Sequence, residues 1–220
     1  MASALTGLPT RWLAALRAGW LRRRLRDQNH AFLFDPPPAD EWVSLDCETT
    51  GLDPRRDEII SIAAVRIVGS RILTSERLEL LVRPTGSVSA TSVRIHLLRE
   101  QDVADGIEAD DAVRQLLRFI GGRPIVGYYI AFDVAMLNRV VRPLLGIGLP
   151  QPTIDVGNLF YQYRAARRTP HEQLVSPQID LRFVTLMREL DLPQHDAHDA
   201  LNDAVMAALA FIKLRRLLAK

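Results

Sequence analysis

Four acids and one histidine that suit a single chemistry are scattered over three segments of this 220-residue chain. Any fold it adopts must bring them to one place. The segments are Asp46-Cys47-Glu48-Thr49-Thr50-Gly51, then Phe132-Asp133, then His198-Asp199-Ala200-Leu201-Asn202-Asp203. The first follows the apolar run Trp42-Val43-Ser44-Leu45 and precedes a Thr-Thr-Gly break, so it reads as the end of a β-strand. Side chains alternate across a strand, which places Asp46 and Glu48 on one face and Cys47 on the other. Two neighbouring carboxylates on a buried strand repel each other and are costly to desolvate. A hard divalent cation resolves both problems, and Mg²⁺ or Mn²⁺ suits carboxylate and water ligands. Taken alone, this segment also fits a solvated strand end with two surface acids.

The third segment enters a helical pattern in which Leu201, Val205, Ala208, Leu209 and Ile212 recur at three- and four-residue spacing. His198 and Asp203 are five apart, about 500° around a helix, so they project in different directions and suit different tasks. Asp203 is placed to turn inward as a ligand. His198, after the loop-like Leu192-Pro193-Gln194-His195, is placed to take a proton from an attacking water. By itself His198 reads as an ordinary polar residue at a helix start; the other segments turn the reading toward a base. His195 lies three residues earlier, but no thiol or further histidine joins the pair, so a zinc site is not expected.

Between these segments, strands and helices alternate. Residues 58–68 and 71–82 are rich in Ile, Val and Leu, and the short connection between them predicts an antiparallel hairpin. Helices are expected at 99–103 and 110–120, a strand at 124–127, and a helix at 131–145 carrying Asp133 near its start. A short strand at 153–156 leads into a helix ending near 167, and two more helices follow at 180–190 and 197–218. An antiparallel trio followed by βαβ units predicts an α/β protein with a mixed five-stranded sheet flanked by helices, the RNase H-like arrangement, with an extra N-terminal helix.

That extra helix is expected over residues 9–27. Residues 1–30 hold six arginines against one acid, Asp27, while the whole chain carries only +2. Trp12, Leu13, Leu16, Trp20 and Leu21 form an apolar stripe on it. Three roles stay open: contact with nucleic-acid phosphates, an interfacial membrane helix, or packing on this domain or another subunit. Asp35-Pro36-Pro37-Pro38 reads as a stiff linker. The expected division is therefore a basic arm and linker over residues 1–40 and one catalytic domain over 41–220. No apolar run approaches the ~18 residues of a membrane span. The single Cys excludes an internal disulfide framework and fits a reducing, cytoplasmic setting. Two acids beside its thiol disfavour a nucleophilic role for Cys47.

The order Asp-x-Glu-Thr-Thr-Gly, then Phe-Asp, then His-x-Ala-Leu-x-Asp-Ala resembles the DEDD 3′→5′ exonucleases of the histidine subgroup. That family includes the proofreading epsilon subunit of bacterial DNA polymerase III, RNase T and oligoribonuclease. The resemblance implies metal binding by Asp46, Glu48, Asp133 and Asp203, two divalent cations (Mg²⁺ or Mn²⁺), and His198 as general base. Asp46 would bridge the cations, with Glu48 and Asp203 completing one site and Asp133 supporting the other. It implies substrate contacts at Thr49, Thr50, Leu52 and Ile95, and a role in DNA replication or repair. The expected substrate is a single-stranded or frayed 3′ end, DNA favoured over RNA, with a polymerase or other protein as a partner for the N-terminal arm. RNA trimming is the alternative, and a binding module without activity a third that the intact acids and histidine disfavour. One departure stands out. Where the family has His-Asn-x-x-Phe-Asp, this chain has Tyr128-Tyr129-Ile130-Ala131-Phe132-Asp133. Tyr129 is thereby expected to stack on a base or offer its hydroxyl, unless one or both tyrosines are simply packed in the core.

Overall fold

A computed structural model describes residues 8–86, 99–169, 178–194 and 199–219. Five strands form one sheet: β1 (Glu41–Thr49), β2 (Ile59–Val68), β3 (Arg71–Leu81), β4 (Ile125–Gly127) and β5 (Thr153–Asp155), in the order β3-β2-β1-β4-β5. The β1–β2 and β2–β3 pairs are antiparallel, and the β1–β4 and β4–β5 pairs are parallel. The helices are α1 (Leu8–Arg24), α2 (Glu100–Val103), α3 (Ala109–Ile120), α4 (Ile130–Leu145), α5 (Val156–Ala165), α6 (Phe183–Glu189) and α7 (Ala200–Leu218), with a 3₁₀ helix at Gln28–Phe34. This is the mixed sheet flanked by helices that the sequence predicts.

Each face of the sheet carries its own core. Val43, Leu45 and Cys47 of β1 point to one side, where they meet Val113, Leu116 and Leu117 of α3 and Met136, Leu137 and Val141 of α4. The other side buries Val65, Ile67 and Val126 under Phe160 of α5, Leu186 of α6 and the apolar face of α7. On α7, Ala204, Ala207, Ala208 and Ala210 are all buried. Their small side chains let the helix lie close to the strands, where bulkier residues would force it away.

β4 is short and lies tight against β1. A Cβ added at Gly127 would sit 2.9 Å from the carbonyl oxygen of Leu45 and 2.7 Å from Ile130, so glycine is required for the close approach there. The chain then turns directly into α4, which ends at Gly146 in the left-handed conformation (φ 77°).

The N-terminal segment differs in detail from the single helix expected over 9–27. α1 stops at Arg24, and the 3₁₀ helix after it is capped by the Asp27 carboxylate, which accepts from the Asn29 N–H at 3.0 Å. Leu25 and Leu33 belong to the same core cluster as α3 and α4. The Arg26 N–H donates to the Leu145 carbonyl, tying this segment to the far end of α4. Of the expected stripe, Leu21 packs against that core, whereas Leu16 and Trp20 are exposed and Arg24 lies over the Trp20 ring. Among the described residues, no helix is long and apolar enough to cross a membrane.

Candidate metal and nucleic-acid site

The period-two alternation of β1 sends Trp42, Ser44, Asp46 and Glu48 toward the face that α7 covers. In the register that α7 takes on β1, Trp42 makes an edge-to-face contact with Phe211, with ring centroids 5.2 Å apart. From Phe211 back to Asp203 is eight helical residues, about 12 Å. From Trp42 to Asp46 is four strand residues, about 13 Å. The match delivers Asp203 onto the two strand carboxylates. Ligand oxygens of Asp46, Glu48 and Asp203 all lie within 4.8 Å of one another, each residue half-buried.

Asp133 reaches the same place from the opposite core. It sits in the first turn of α4, only 4% exposed, and its Oδ1 accepts the backbone N–H of Cys47 at 3.0 Å. Cys47 lies between Asp46 and Glu48 on β1, so this bond sets Asp133 beside the strand pair. The position of α4 is held from β5. One oxygen of Asp155 accepts the N–H of Ile130 at 3.2 Å, and the other accepts the N–H of Asn158 at 3.1 Å. Asp155 thus caps two helices at once, satisfying N–H groups that have no partner inside a helix. It is a structural hydrogen-bonder.

Burial and mutual repulsion act together on the carboxyl groups of the cluster. Burial, followed by the charges of Asp133, Asp203, Glu48 and Asp199, pushes the Asp46 carboxyl well above its ordinary value. Glu48 is raised from 4.5 to about 7 by burial and then by Asp203 and Asp199. Burial raises Asp133 as well, against the opposing pull of its own and the Cys47 backbone hydrogen bonds. Burial and the neighbouring carboxylates push the Cys47 thiol well up, leaving no thiolate for nucleophilic work. Carboxylates that cannot all ionise comfortably together are stabilised by a divalent cation, and the all-oxygen donor set fits a hard one.

Asp199 is the member of this site that sequence reasoning missed. It is the N-cap of α7, its side chain accepting from Asn202 N–H at 2.9 Å, and its charge acts on both Asp46 and Glu48. An Asp immediately before an apolar-periodic run is a helix-start signal that could have found it. The helix therefore begins at Ala200 rather than near 197. His198, His195 and Ile95 lie outside the described residues.

The remaining expected positions separate. The Thr49 and Thr50 side chains are buried: the Thr49 hydroxyl donates to the Gly51 carbonyl at 2.7 Å, and the Thr50 Oγ1 accepts the Glu58 N–H at 2.9 Å. Both brace the turn out of β1, next to a register shift between Glu48 and Thr49 of the kind that re-aims side chains beside a site. Leu52, in that turn, is 81% exposed. The tyrosines diverge. Tyr128 stacks on Phe183 at 4.6 Å and donates its hydroxyl to the Leu181 carbonyl at 3.0 Å, whereas Tyr129 is 71% exposed.

Comparison with known proteins adds the family context. The RNase_T model, described as an exonuclease, matches residues 43–211. A DNA polymerase III subunit epsilon-like protein of Rhodobacter capsulatus is 32% identical over 180 residues, covering 80% of this chain and 24% of that protein. The DNA polymerase III subunit epsilon of Aquifex aeolicus is 24% identical over 174 residues, covering 79% of each. Among solved structures, E. coli ExoI in a zinc-bound complex with single-stranded DNA superposes with a TM-score of 0.67 at 18% identity, covering 82% of this chain and 42% of that one. The chain spans only about a quarter of the R. capsulatus relative and 13% or less of the PolC-type polymerases it also matches.

Proposed function

The chain belongs to the RNase_T exonuclease family, and from that premise we propose that it is a 3′→5′ exonuclease releasing nucleoside 5′-monophosphates from single-stranded or frayed 3′ ends, DNA favoured. The observation that carries the reading is the convergence of Asp46, Glu48 and Asp203 within 4.8 Å, with Asp133 held beside them by the Cys47 N–H. Asp46, Glu48 and Asp203 would hold one divalent cation, Mg²⁺ or Mn²⁺, and Asp133 with Asp46 would support a second. Bound there, such cations supply charge stabilisation for the attacking and leaving oxygens of the phosphodiester.

The chain's own residues do the rest. His198 takes a proton from the water whose oxygen attacks the terminal phosphorus. The bond from phosphorus to the 3′ oxygen breaks and that oxygen takes a proton from solvent, leaving a strand one nucleotide shorter with a free 3′ hydroxyl. Asp155 keeps α4, and with it Asp133, in place throughout. Leu52, Tyr129 and Ile95 are the proposed contacts to the terminal nucleotides, while Thr49 and Thr50 shape the turn that carries Leu52. The test is purified protein with Mn²⁺ or Mg²⁺ on labelled single-stranded DNA, matched RNA and a dinucleotide. Stepwise release of 5′-monophosphates supports the reading, and internal cuts or no products overturn it. Preference for the RNA or the dinucleotide would move the assignment to RNA trimming.

A second reading concerns partners. Leu16 and Trp20 are exposed on α1, which is anchored at the C-terminal end of α4, about 18 Å along that helix from Asp133. A polymerase or other protein held there would leave the acids free, which favours a tethered proofreading or repair role. Co-elution with a polymerase fraction, lost on Trp20→Ala, tests it. The buried lone thiol of Cys47 suits a reducing compartment, and the cytoplasm is the proposed location.

A further inference from the structure

Resting on the exonuclease reading, we infer that Tyr129 is the specificity-determining residue of this site, a stacking platform that favours purine over pyrimidine bases near the 3′ end, whatever the sugar.

The inference starts from the backbone. Tyr129 has φ 55° and ψ 31°, the left-handed conformation that glycine and asparagine adopt readily and that a bulky L-residue does not. It occupies the N-cap position of α4 yet makes no side-chain capping bond. The acceptor for the first helical N–H comes instead from Asp155, reaching across from β5. On the other side, Tyr128 is pinned by its hydroxyl to Leu181 and by its ring to Phe183. The strained position is therefore over-determined by its surroundings, a pattern that gathers at functional sites.

What the strain achieves is the display of one ring. Tyr128 is turned inward and Tyr129 outward, with 71% of its surface open. Asp133 follows one helical turn later, about 6 Å along the axis. A strand whose scissile phosphate lies against Asp133 and its partners thus has its nearest bases within reach of the ring. A phenol ring reads the π-face of a base, which every nucleotide offers and purines offer more of. It does not read the sugar, so DNA and RNA strands of one sequence should depend on it alike. An amide side chain at this position would tolerate the left-handed backbone but supply no such face.

The experiment compares Tyr129→Asn and Tyr129→Phe with the wild type. Binding of oligo-dA, oligo-dT and matched RNA strands is measured by fluorescence anisotropy with Ca²⁺, and KM and kcat are measured with Mn²⁺. Tyr129→Asn relieves the backbone and should melt no lower than wild type. Its Kd and KM for oligo-dA should rise on the order of 5- to 100-fold, with a smaller rise for oligo-dT and kcat little changed. Tyr129→Phe should retain wild-type values, since the ring and not the hydroxyl does the stacking. Unchanged binding in Tyr129→Asn, an equal loss in Tyr129→Phe, or a loss confined to one sugar overturns the inference. Strands that bind through Tyr129 but are never hydrolysed would overturn the exonuclease reading and leave this one standing. Hydrolysis with an unmoved KM in Tyr129→Asn would do the reverse.

Discussion

Removing the Asp203 charge should stabilise the metal-free protein and abolish its response to cations. Without a cation, Glu48 is raised from 4.5 to about 7 by burial first and by Asp203 and Asp199 after it. A folded-state value above the unfolded one means that the native protein holds a proton the unfolded chain has released. Stability is therefore undiminished below about pH 4.5, falls as pH rises toward 7, and levels off above it. At 1.36 kcal/mol per pH unit the full penalty is about 3 kcal/mol, and solvent at this half-buried carboxylate trims it to about 2 kcal/mol. Burial is the larger cause, so Asp203→Asn returns only the smaller part, about 1 kcal/mol. For a chain of this length that is a melting temperature about 2–4 °C higher at pH 8, with little difference at pH 4.5. Added Mn²⁺ should invert the order. At a hundredfold excess over Kd the wild type gains about 2.7 kcal/mol by mass action, and the variant, short of a ligand, gains almost nothing. The assay is thermal melting of both proteins in EDTA and in Mn²⁺ across pH 4.5–8, with hydrolysis measured in parallel. A variant that melts lower than wild type in EDTA at pH 8, or that responds equally to Mn²⁺, would refute the reasoning.

Three further expectations use other parts of the molecule. His198→Ala should lose roughly 10²–10⁴-fold in rate while still showing the Mn²⁺ melting shift, and wild-type activity should climb through a pH near ~6.5 and then flatten; a full rate in the variant would reassign the base. Asp155→Ala removes two helix caps, so a loss of about 2–3 kcal/mol and a lower kcat through displaced Asp133 are expected, whereas Asp155→Asn, which keeps one carbonyl oxygen, should recover part of both in melting and turnover assays. Deleting residues 1–24 removes only the partly buried Leu21 from the core and should lower the melting point by a few degrees at most, but deleting 1–37 also removes the buried Leu25 and Leu33, about 3–6 kcal/mol of apolar burial, and should lower it by on the order of 10 °C more; equal melting of the two truncations would show that the 3₁₀ segment contributes nothing.

The strands, the hairpin, the helix behind Asp133 and the shared face of Asp46 and Glu48 were all legible in the sequence. Each follows from alternation, helical spacing or a turn residue, signals that act over fewer than a dozen positions. The proposed acid set came from the ordered motifs and the resemblance they carry. What joins the acids was not legible. Asp203 meets Asp46 because α7 packs on β1 in one register, Trp42 against Phe211 among its contacts, across a chain separation that no local period reports. Asp133 meets the cluster through a backbone N–H 86 residues away. The two adjacent tyrosines point in opposite directions, set by a left-handed turn held from β5 and by a ring contact with α6. The 3₁₀ helix escaped notice because Leu25 and Leu33 are eight apart, with no repeat between them, and are buried by α3 and α4 rather than by any pattern of their own. Composition and short-range pattern determined which elements form and which side chains each element presents. Only tertiary packing decided which of those side chains meet, because contact between distant segments depends on the shapes of both surfaces and is written in neither segment alone.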